Sequence, residues 1–282
     1  MPFLQSKWLI VLGALITSSP AVEFDLVFPR SNASYSPAES FPFVFAVQNT
    51  ERAELLNLRL SYYIYHKSND GLNFDNRLWM VHDFSWTNWS GSADPYFVYD
   101  YFDDSFNTSG RWLVEWELRW ESCDVEALTH SHHSGGVSEH YYHSTEGLYI
   151  NNSSLKEVDL VAATANESCP GSPNGIVINV TDTVMSSPSW LNWAHRDTCV
   201  VTENTTASPT TSTPDPCRIA IDEDTAESMA AAQQQRFCYL PVPPDNCPKE
   251  ENGATQLAVL GVSGILTAIG ALGLAGLLID IF

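Results

Sequence analysis

From Val22 to about Cys199 the chain is written in short apolar–polar alternations, rich in aromatic and β-branched residues and separated by turn formers. Alternate residues of a strand point to opposite faces, so such runs predict strands that bury one side and wet the other. Trp112 to Glu121 is the clearest: Trp112, Val114, Trp116, Leu118 and Trp120 interleave with Leu113, Glu115, Glu117, Arg119 and Glu121. Glu23–Phe28, ended by Pro29, reads as the opening strand. Phe41–Gln48 follows with Phe43, Phe45 and Val47 on one face, and a third strand carries Leu58, Leu60, Tyr62 and Ile64 up to an Asn69-Asp70-Gly71 turn. Further strands are expected at Leu78–Trp86, Tyr96–Phe102, Tyr141–Ile150, Glu157–Ala162 and Ile176–Val180. Many short strands with almost no helical periodicity predict a mainly β fold, an antiparallel immunoglobulin-like β-sandwich over residues 22–200.

Residues 201–216 change character, with Thr, Ser and Pro dominating, and read as an extended linker. Beyond it, Asp224 with Glu227 three positions on has the spacing of a capping box. Thr225–Arg236 has the Ala- and Gln-rich composition of a short helix. Cys217 and Cys238 bracket that helix, so a bridge between them is one way to staple residues 217–252 into a small helical segment.

The two ends carry addresses. Lys7 precedes an apolar run, Trp8–Ile16, followed by small residues, the layout of a signal peptide over 1–21 with cleavage after Ala21. A second charge-free run, Leu257–Ile279, is long enough to span a bilayer, yet no Lys or Arg follows Lys249 to stop transfer. Asn252, Gly253 and Ala254 supply the small residues of a GPI-attachment site, so Asn252 is expected to carry the anchor and 253–282 to be removed. The membrane is then a partner through lipid; a single-pass transmembrane form is the alternative.

An oxidising compartment sets the reading of the six cysteines. Cys123, Cys169, Cys199, Cys217, Cys238 and Cys247 are expected to be disulfide-bonded, with no connectivity selected by spacing. Sequons at Asn32, Asn88, Asn107, Asn151, Asn152, Asn166, Asn179 and Asn204 predict an N-glycosylated, exposed surface. The net charge of −21 is unchanged by the expected processing and argues against nucleic acid as a partner.

Two stretches, Glu23–Pro37 (EFDLVFPRSNASYSP) followed by Phe41–Asn49 (FPFVFAVQN), and Cys217–Ser228 (CRIAIDEDTAES), resemble a family of secreted, often GPI-anchored proteins of filamentous ascomycete fungi known only as a domain of unknown function. The resemblance implies a surface location and an organism class; it carries over no catalytic residue.

Three groups of residues invite chemistry. His130, His132, His133, His140 and His143 gather around Ser134-Gly135-Gly136 and are candidate metal ligands, although no carboxylate is spaced to orient them. On a strand, His140 and His143 point to opposite faces. Trp86 and Trp89, flanking Asn88, are candidates for an exposed platform on cell-wall polysaccharide, whereas alternation sends Trp112, Trp116 and Trp120 inward. Acid pairs such as Glu115 and Glu117 fall on the solvated face. No nucleophile elbow, zinc-protease helix motif or phosphate-binding loop occurs, so no enzyme and no cofactor is expected. The leading expectation is a non-enzymatic surface glycoprotein with a structural or recognition role; polysaccharide binding and metal binding are its rivals.

Overall fold

The structure, a computed structural model, describes residues 21–68, 71–72, 77–129, 136–165, 174–187, 197–203, 214–239 and 247. Its strands are β1 (Ala21–Phe28), β2 (Ser34–Tyr35), β3 (Ser40–Gln48), β4 (Arg59–Ser68), β5 (Gly71–Leu72), β6 (Leu78–Asp83), β7 (Tyr96–Asp103), β8 (Gly110–Cys123), β9 (Val137–Ile150), β10 (Gly175–Ser186) and β11 (Thr198–Thr202). Its helices are α1 (Thr50–Ala53), α2 (Val125–Thr129), α3 (Leu160–Thr164) and α4 (Glu223–Cys238).

Two sheets face each other. One has the order β11-β10-β1-β3-β7 and the other β2-β9-β8-β4-β5, with β6 also on β4. All pairings are antiparallel except the short β2–β9 contact. The expected mainly β sandwich is therefore what the chain forms.

Its core is aromatic because the inward positions of both sheets are. Phe24 and Phe45 from the first sheet lie 5.9 Å and 5.7 Å from the Trp116 ring of the second, and Phe43 stacks on Tyr62 at 6.1 Å. Each ring buries a large apolar area, and tilted contacts at these distances add to what burial alone contributes. A bridge between Cys123, at the end of β8, and Cys199, in β11, ties the two sheets together.

The first sheet's other face is covered too. Val44 and Ala46 are fully buried there, and Ile219, Ile221 and Met229 of the C-terminal arm join the same hydrophobic cluster. The arm is thus a third layer on the sandwich.

Several expectations change on contact with this geometry. Glu157–Ala162 is not a strand: Asp159 caps α3 by accepting from the Ala162 N–H at 2.9 Å, and the buried residues Leu160 and Thr164 are four apart, a helical spacing. The strand expected over Leu78–Trp86 stops at Asp83, whose side chain accepts from Ser85 N–H and opens a 3-10 turn. The cap of α4 is Asp222, which accepts from Thr225 N–H at 2.8 Å, and not Asp224; hydrogen bonding from the Thr225 side chain first, and from its N–H second, holds the Asp222 carboxyl below its ordinary range.

Cys238 bonds Cys247, not Cys217. The helix between Cys217 and Cys238 explains why: its 16 residues span about 24 Å, far beyond the reach of a cystine. Cys217 is itself disulfide-bonded, and its sulfur accepts from Arg30 Nη1 at 3.0 Å.

The segment before Ala21 expected to be a signal peptide, most of the 201–216 stretch expected to be a linker, Cys169, the expected anchor residue Asn252 and residues 253–282 lie outside the described residues. No helix among the described residues is long and apolar enough to cross a membrane.

Candidate functional site: the open face of the six-stranded sheet

Because the arm covers only the first sheet, the second keeps an outward face. Register aligns its residues in rungs. One rung runs Trp79–Tyr63–Glu115–Thr145 across β6, β4, β8 and β9; the next runs Val81–Ser61–Glu117–His143, and the third Asp83–Arg59–Arg119–Tyr141. Neighbouring strands lie about 4.8 Å apart, so each rung brings its side chains into lateral contact. The glutamates occupy the middle, with rings on both sides.

These rings are open to solvent. Trp79 is 59% exposed, and Tyr63 and Tyr141 are also exposed. The two tyrosines are held by neighbours. The Arg77 guanidinium sits 5.6 Å above the Tyr63 ring, Tyr63 stacks on Tyr65 at 6.3 Å, and the Tyr141 hydroxyl donates to Glu139 at 2.5 Å. That hydrogen bond to a carboxylate is the main reason the Tyr141 phenol is held above its ordinary range. Arg119 joins Glu121 at 3.0 Å and Glu139 at 2.8 Å, while His143 Nδ1 lies 3.3 Å from Glu117. Tyr65 is raised by burial first and by Glu115 second. The face therefore offers apolar ring surface next to acceptors and donors already held in place, a combination suited to a ligand with both C–H faces and hydroxyls.

Of the two tryptophans singled out in the sequence, only one is available. Trp86 is 64% exposed, whereas Trp89 is 3% exposed, packed 6.0 Å from Phe84 and 5.4 Å from Tyr96. The 3-10 turn Trp89–Gly91 turns that ring into the core, so Trp89 cannot serve as a platform. Trp112 and Trp116 point inward as expected, and Trp120 is partly buried against His140.

The histidines do not assemble into a site among the described residues. His140 faces inward, stacked 5.3 Å from Trp120, with its Nε2 2.7 Å from Ser122 Oγ, and burial lowers its pKa. His143 faces outward. His130, His132 and His133 lie outside the described residues, and no group of three potential metal ligands occurs among those described.

The sequon residues Asn32, Asn88, Asn107, Asn151 and Asn152 are exposed, and Asn166 and Asn204 fall outside the described residues. Asn179 departs from the expectation of exposure. It lies in β10 opposite Ala21 of β1 and is 8% exposed.

Sequence reading missed Trp79, Tyr63 and Tyr141. A signal was present: Trp79 and Val81 share the parity of Asp83, and Tyr63 that of Ser61 and Lys67, so the polar partner marks the outward face. Elsewhere, a groove of about 600 Å³ between α4 and the first sheet is rimmed by Glu39, Asp103, Asp104, Glu157 and Glu227.

Fold and face together define a cystine-linked β-sandwich, covered by a helical arm on one sheet and carrying an aromatic–carboxylate face on the other. The chain belongs to the family described as Domain of unknown function (DUF7136), whose family model matches residues 17–247. No curated protein and no solved structure matches it.

Proposed function

We propose that this protein is a non-enzymatic surface glycoprotein, and that the open face of its six-stranded sheet is a recognition surface for polysaccharide. One observation carries the reading: Trp79, Tyr63 and Tyr141 stand exposed on the same face as Glu115, Glu117 and His143, in register. Rings of this kind cover the C–H faces of pyranoses while carboxylate and imidazole take their hydroxyls. Secretion by the N-terminal apolar segment, a GPI anchor at Asn252 and a fungal wall as the setting complete the proposal, supported by the pattern of the two termini and the family resemblance.

The test is retention of the purified ectodomain on insoluble β-glucan and chitin. Wild type is expected to be retained, Trp79→Ala and Tyr63→Ala to pass through, and Trp86→Ala to behave as wild type. No retention of wild type on either polymer overturns the ligand class. For the anchor, phosphatidylinositol-specific phospholipase C is expected to release the protein from intact cells; a retained C-terminal tail in the mass spectrum overturns it.

A further inference from the structure

Glu23 and Asp25 stand two residues apart on β1, on the face of the first sheet that the C-terminal arm covers. Asp25 is 0% exposed. Its Oδ2 accepts from Gln48 Nε2 at 3.0 Å, but its Oδ1 has no partner among the described residues. That oxygen occupies the place a Cβ on residue 175 would take, which is open because residue 175 is glycine, and Pro214 of the arm closes over the same spot. A buried carboxylate oxygen left without a donor is costly, and the cost disappears if the group is protonated.

Glu23 is the arm's fastening point. Its Oε1 accepts from the Asp215 N–H at 2.6 Å and its Oε2 from Arg218 at 2.8 Å. Arg218 also donates to Gln48 Oε1 at 2.7 Å, so Gln48 links the arm's cation to Asp25. Among the described residues, the charged and titratable groups around Asp25 are Glu23 on its own strand, Arg218 and Asp215 on the arm, and Tyr142 on β9 of the opposite sheet, whose phenol is raised by burial first and only last by the Asp25 charge. Among the described residues, Arg218 is the cation that serves acids burial has pressed together.

We propose that Asp25 and Glu23 share one proton, and that this proton latches the C-terminal arm onto the sheet. The proton sits on Asp25 and points to Glu23, whose two oxygens accept from the Asp215 N–H and from Arg218. Burial first, and the Glu23 charge second, hold the Asp25 carboxyl up at about 8 against an ordinary 3.8. The linkage has a definite sign. Below the ordinary value both the closed and the open forms hold the proton. Between about 4 and 8 only the closed form does, so the stabilisation is full in acid and is lost as pH rises through about 8. Once the proton leaves, two adjacent buried carboxylates repel at the point where the arm is fastened.

Amide hydrogen exchange across α4, corrected for intrinsic rates, reads the latch. In wild type the opening equilibrium is expected to rise on the order of a hundredfold between about pH 6 and pH 9. In Asp25→Asn, whose amide is neutral at every pH, it is expected to stay flat. The infrared carbonyl band of a protonated carboxyl should be present in wild type at about pH 6, lost by about pH 9, and missing from Asp25→Asn. Exchange that ignores pH in wild type, or a wild-type spectrum without that band in acid, overturns the proposal. So does an Asp25→Asn variant that follows the wild-type profile; should that variant not fold, the two wild-type measurements decide alone.

Discussion

The Tyr62 hydroxyl, on β4 of one sheet, donates to Asp100 Oδ2, on β7 of the other, at 2.5 Å across the interior of the sandwich. His82 Nε2 reaches the same oxygen at 2.6 Å, which requires that nitrogen to carry the proton, and Arg236 Nη1 approaches Oδ1 at 3.9 Å. Burial, reinforced by the Asp100 charge, keeps the Tyr62 phenol protonated far above its ordinary range. Tyr62→Phe removes one donor to a buried charge and leaves the ring packing intact. It should cost about 1.5–3 kcal/mol, read as a lower denaturant midpoint with an unchanged slope.

Trp79 and Trp116 are predicted to separate stability from recognition. Trp116 is 2% exposed and packed against rings from both sheets, so Trp116→Ala should destabilise by about 3–5 kcal/mol. Trp79→Ala should stay within about 0.5 kcal/mol of wild type while abolishing retention on polysaccharide. Thermal melts alongside the pull-down check both halves.

The Cys123–Cys199 bridge closes a loop of 76 residues between the two sheets. Replacing both cysteines with alanine frees that loop in the unfolded chain and should cost up to about 4 kcal/mol. Reduction of the whole protein should cost at least as much, and matched melts with and without reductant measure it.

Glycan mapping should divide the sequons by burial. Asn88, Asn107 and Asn151 are open to solvent, whereas Asn179 is held inside the five-stranded sheet between β1 and β11. A glycan on its buried side-chain amide would have to displace what packs over that face. Mass spectrometry of peptides from protein expressed through a secretory pathway should find Asn179 bare and the exposed sites occupied; occupancy at Asn179 in folded material would contradict the placement.

What the sequence disclosed, it disclosed through periodicity. Trp112, Val114, Trp116 and Leu118 are buried and Glu115, Glu117 and Arg119 face outward, as their alternation dictates. Where one period does not dominate, the sequence is ambiguous: Val158, Leu160 and Ala162 fit a strand as well as Leu160 and Thr164 fit a helix, and the Asp159 cap decided between them. The candidate site was hidden for another reason. Trp79, Tyr63 and Glu115 are brought together only by register between strands distant in sequence, and register is a property of the fold. Trp89 was misjudged because a sequon neighbour marks an exposed backbone, not the direction of the next side chain. The Asp25–Glu23 pair was invisible until the arm was seen lying on it.

The arm also gives the molecule a polarity. Helix α4 lies on the first sheet with Arg236 over Tyr99, and Cys247 is bonded to Cys238 at its end. Cys247, the last described residue, is therefore fastened to the flank opposite the exposed rings. The lipid anchor proposed above, attached beyond that point, would pull on the back of the sandwich and turn the aromatic front away from the bilayer, toward a polymer overhead.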